Sequence, residues 1–105
     1  MPNAYRTDAD AGTGDLPDAN AIAEMREMVA YIVGRCGEVG VRRALLFAAE
    51  SLCIGPRRAR GYYHGEIRAV PEDELAQCRV AFLGFVRQQR HEMDERICRA
   101  LGRAA

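Results

Sequence analysis

The chain contains no lysine: all fifteen of its basic side chains are arginine. That bias fits a GC-rich coding sequence and carries no functional reading alone. Its other absences exclude more. No apolar run approaches the roughly 20 residues that span a bilayer. The stretch "MPNAYRTDADAGTGDLPD" lacks the basic and apolar regions of a secretory signal, so the expected location is the cytoplasm. No C-x-x-C occurs among Cys36, Cys53, Cys78 and Cys98, and His64 and His91 complete no ligand spacing, so no metal is expected. Each cysteine lies on or near an apolar helical stripe, where a free thiol acts as a small hydrophobe. Four buried, unpaired thiols are the expectation. Catalytic patterns are missing too. G-x-S-x-G is absent, Ser51 has no histidine at a local spacing, and "GTGD" has neither the glycines nor the lysine of a phosphate loop. No enzyme and no cofactor are expected.

What is present is one domain's worth of chain, 105 residues, 49% apolar and 29% charged, a soluble globular mix. Its net charge of zero is unevenly spread. Residues 1–40 hold seven acids against three arginines, a net of −4. Residues 41–70 hold six arginines against Glu50 and Glu66, a net of +4, and residues 71–105 balance. A neutral chain with one basic third implies a localised anion-binding face rather than a generally sticky polycation.

The apolar periodicity is helical throughout, and the expected fold is all-α. Residues 1–16 read as a flexible arm, followed by a single helical domain over residues 17–105. Ile22, Met25, Val29, Ile32, Val33 and Cys36 form one stripe, predicting a helix over 18–36, capped by Asp15 or Asp18 and stopped by Gly37. Val41, Ala44, Leu45, Ala48, Ala49 and Leu52 predict a second over 41–53. Pro56 opens a short third helix, 56–64, and Gly65 closes it. Residues 66–70 fit a turn or a short extended piece. Pro71 then opens a long last helix, 71–100 or on to 103, with Glu72, Asp73 and Glu74 in its first turn, where the helix dipole favours anions. Its stripe lapses at Gln89–Arg90, where a break into two helices would fall. The length of this helix suits either a core element with a fraying end or a dimerisation arm.

Within "AAESLCIGPRRARGYYHGE" the order is small (Ala49), apolar (Leu52), apolar (Ile54), turn, apolar (Ala59), apolar (Tyr62), glycine (Gly65). Over residues 45–65 this resembles the helix-turn-helix of the phage repressor and Cro class. Two helices crossing steeply need one small contact, with the other residues forming a shared miniature core. The family has glycine directly after the leucine; that slot holds Cys53 here, and glycine follows two residues later as Gly55. The second helix of such a motif lies in the DNA major groove. The resemblance implies that Gly55, Pro56, Arg57, Arg60 and Gly61 face the groove while Ala59 and Tyr62 pack inward. It turns Arg58 sideways toward a phosphate, and Tyr63, His64, Arg42, Arg43 and Arg68 toward the DNA backbone.

Two readings of function follow. One is a DNA-binding protein, a homodimeric transcriptional regulator or phage-like control protein, acting on double-stranded DNA. The other is a helical interaction module whose arginine-rich face meets an acidic protein partner. Neither reading involves a membrane.

Overall fold

Apolar side chains spaced by three and four wind into one stripe, and in the computed structural model of the chain that stripe becomes helix α1, Ala19–Arg35. The structure describes residues 15–16 and 19–104. The caps expected from the Asp15 or Asp18 side chain, and most of the arm expected over residues 1–16, lie outside the described residues. The end of that arm is not free. The backbone of Asp15–Leu16 forms strand β1 and pairs antiparallel with β2, Val70–Pro71, Leu16 opposite Val70.

Helix α1 buries Met25, Val29 and Ile32 completely, with Ala21 and Met28 nearly so. Gly37, at φ 70°, turns the chain, and Gly40, at φ 92°, sits at the start of α2, Val41–Leu52. Both positions use backbone angles that only glycine adopts without strain. Three of the five buried residues of α2 are alanines (Ala44, Ala48, Ala49), beside Leu45 and Leu52. Small side chains let a neighbouring helix come close, and α3, Pro56–Tyr63, follows directly with Ala59, Gly61 and Tyr62 buried. Fully burying a side chain such as Ile32 or Leu52 contributes about 1.5–3 kcal/mol, and these residues share one core with Val70, Leu75 and Cys78.

The last helix, α4, runs unbroken from Glu72 to Ala104, about 50 Å at 1.5 Å per residue. Its first half is held on the domain by buried Leu75 and Cys78. Edge-to-face contacts of Phe82 and Phe85 with Tyr31 continue the seam, at 5.4 and 6.4 Å, and Phe85 also meets Phe47 at 6.1 Å. A forked Arg79–Glu24 pair, at 2.6 and 2.8 Å, ties α4 to α1. From Arg87 to Arg103 every residue except Gln89 is exposed. No break occurs at Gln89–Arg90. The stripe lapses there because the helix has left the domain, while Gln and Arg are good helix formers. Pairs four residues apart support this half: Gln88–Glu92 at 3.2 Å, His91–Glu95 at 3.3 Å and Glu95–Arg99 at 3.9 Å.

Among the described residues no helix is long and apolar enough to cross a membrane. All four cysteines are free. The expectation of four buried thiols holds for Cys78, whose pKa burial pushes up to about 11. It fails for Cys53 and Cys98, which are exposed: one ends a helix and the other lies on the projecting half of α4.

Candidate nucleic-acid interface

The connection between α2 and α3 is three residues long, Cys53, Ile54 and Gly55. Cys53 stands at φ 61°, ψ 39°, the left-handed conformation. The turn closes as the Cys53 amide donates to the Glu50 carbonyl at 3.2 Å and the Ile54 amide to the Ala49 carbonyl at 3.0 Å. The left-handed residue is thus the one directly after Leu52, in the slot that the family fills with glycine. Gly55 is extended, at φ −69° and ψ 151°, and Pro56 begins α3 at the position where its missing N–H costs nothing. Ala49 and Ala59 are buried on the two helices that this turn joins.

Between the start of α2 and the outer face of α3 lies a groove of about 510 Å³. Arg42, Arg57, Arg60 and His64 form its polar wall, and Val41, Leu45, Leu46 and Pro56 its apolar one. The three guanidinium groups are exposed, and none has an ion pair among the described residues. Arg43 and Arg68 are also exposed, outside the groove lining, and have no ion pair among the described residues. Tyr63 is half-buried, its ring edge-on to His64 at 5.3 Å.

Two residues expected at this face are placed elsewhere. Arg58 does not point toward a phosphate. Its Nε donates to Glu74 on α4 at 2.9 Å and its Nη2 donates to the Tyr62 hydroxyl at 2.8 Å. That hydroxyl in turn donates to the Glu74 carboxylate. Burial would lower the Arg58 pKa, but its hydrogen bonds to Glu74 and Tyr62 more than offset that and raise it. Burial, with the Glu74 carboxylate beside it, raises the Tyr62 phenol well above its usual range. The triad locks α3 onto the first turn of α4 and leaves Arg58 little freedom to meet a ligand. Gly61, expected to face the groove, is buried instead, under Ile67 from the segment after α3.

Glu74 and Ile67 are the organising residues that the local motif does not announce. Glu74 lies sixteen positions from Arg58, beyond any helical spacing. Its place in a helix's first turn already accounts for an acid there.

Comparison with known proteins finds no matching family model, no matching curated protein and no matching solved structure. The site is therefore read from its own chemistry.

Proposed function

We propose that this chain binds double-stranded DNA through the outer face of α3 and the start of α2, as a homodimeric transcriptional regulator or phage-like control protein. The observation that carries the reading is the set of exposed arginines without partners, Arg42, Arg57 and Arg60 around one groove with Arg43 and Arg68 flanking it. In a chain with no net charge, a local cluster of uncompensated cations gives that face a positive field that favours an anionic partner. The three-residue turn, left-handed at Cys53, supports a helix-turn-helix role for α2 and α3. In that role Arg57 and Arg60 project from the early part of the recognition helix. Each forked guanidinium matches O6 and N7 of guanine, with about 1–3 kcal/mol of discrimination per good pair. Arg42, Arg43 and Arg68 take the phosphates, which position without specifying sequence.

The test is site preference. After selection of a preferred duplex from a random pool, Arg57→Ala or Arg60→Ala weakens that duplex about tenfold or more and a scrambled one much less. Arg43→Ala weakens both alike. Equal losses in all three variants reduce the reading to a phosphate-binding surface.

A second reading rests on Leu46, 52% exposed in the lining of the same groove, with Phe47, 45% exposed, next to it in sequence. Apolar side chains next to free arginines also suit an acidic, partly apolar protein segment. Absence of binding to any duplex at low salt favours that reading.

A further inference from the structure

An apolar seam runs along α4 from the end of its docked half into its projecting half, exposed along its length except at half-buried Val86. Ile97 is 48% and Met93 42% exposed, and Leu83, at the root of the arm, 53%. With Leu83, Arg90 and Ile97 at one core position of a heptad and Val86, Met93 and Ala100 at the other, the seam takes in six core positions along the helix. Such a seam matches a partner of its own kind, and the charges beside it choose the orientation.

We infer that a second copy of this chain covers the seam, arm against arm and antiparallel, in the register that sets Arg90 opposite Met93 of the partner subunit. A parallel pair places each Arg90 against its own copy in the core, two like charges in one desolvated layer. The antiparallel register avoids this and stacks Leu83 on the small Ala100 and Val86 on Ile97. Arg90 then lays its aliphatic stem along Met93 and carries its charge to the rim. The flanking charges agree. In this register Arg87 lies across from Asp94 of the partner subunit, and Asp94 from the partner's Arg87. Neither residue has an ion pair among the described residues, although Glu92, Glu95, His91 and Arg99 are all engaged along the helix. In a parallel pair the residues facing Arg87 and Asp94 are Phe82 and Gln89, which complement neither charge.

The inference rests on the proposed homodimer and not on DNA binding, so oligomeric state without DNA tests it. In sedimentation velocity across a concentration series at low salt, the wild-type chain is dimeric. Arg87→Asp and Asp94→Arg, each creating two like-charge contacts, raise the dissociation constant about tenfold. The double variant Arg87→Asp/Asp94→Arg restores it to within about threefold. Ile97→Asp, at an exposed position with no role in the fold, gives monomer. A dimer indifferent to both single reversals, or a double reversal as weak as the singles, overturns the register while leaving the homodimer standing. A monomeric wild type overturns both.

Discussion

A Cβ on Gly61 would sit 2.8 Å from Cγ1 and 3.0 Å from Cδ1 of Ile67. The glycine in the middle of α3 is therefore a packing device, and the segment after α3 is folded back onto the helix through it. Helix propensity alone favours alanine there by about 1 kcal/mol, whereas forcing a methyl under Ile67 costs about 1–3 kcal/mol. Gly61→Ala is expected to destabilise by about 1 kcal/mol. In an Ile67→Ala background the sign reverses, because the obstacle is gone and only propensity remains. Urea unfolding of the four-member mutant cycle measures both signs.

The Arg58–Tyr62–Glu74 triad separates one arginine of "RRAR" from its neighbours. Arg58→Ala leaves Glu74 and the Tyr62 hydroxyl short of a donor and is expected to cost about 1 kcal/mol, modest because Arg58 is partly exposed. Arg57→Ala and Arg60→Ala touch no internal partner and stay within about 0.5 kcal/mol of wild type. Thermal melts of the three variants side by side test this. Equal losses would mean that Arg58 is not committed to the fold.

The helices were legible because their stops are chemical. Gly37, Gly65 and the Gly55-Pro56 pair punctuate the stripes, and the expected 18–36, 41–53 and 56–64 differ by one or two residues from Ala19–Arg35, Val41–Leu52 and Pro56–Tyr63. The basic face was legible in part, since Arg42, Arg57 and Arg60 fall on outward positions of amphipathic helices. Arg58 was not. Its partners include Glu74 on another helix, and only the assembled fold brings them together. Gly61 misled for a related reason: an outward position on α3 is covered by Ile67, which arrives through a turn with no periodicity. The β1–β2 pairing was equally hidden, because two residues per strand leave no alternation to read.

Cys53 holds a left-handed backbone that costs a residue with a Cβ about 1–2 kcal/mol. Its side chain is exposed, so little packing is lost on removing it. Cys53→Gly is expected to raise stability by about 0.5–1 kcal/mol, after allowing for glycine's larger unfolded-state entropy. An unfolding midpoint unchanged or lowered would mean that the thiol contributes packing that offsets the strain.

Tyr62 gives the fold an alkaline limit. Its folded pKa is raised above the ordinary 10.0 through burial first and Glu74 second. A raised folded pKa contributes stability that is complete below the unfolded value and is lost as pH rises through the folded one. Stability should therefore fall from about pH 10 upward, as the unfolded chain releases a proton that the folded chain keeps. Tyr62→Phe, less stable at neutral pH, should show a shallower alkaline decline. Parallel declines would place the ionisation elsewhere.

The most direct measurement of the central claim is the salt dependence of binding to a random duplex, read by fluorescence anisotropy with wild-type protein. If Arg42, Arg43 and Arg68 each neutralise a phosphate, the logarithm of affinity falls linearly with the logarithm of salt. The expected slope is about −3 per bound protomer, and removal of any one of the three reduces it by about one. Binding that is absent at low salt, or a slope that the three substitutions leave untouched, would contradict the account.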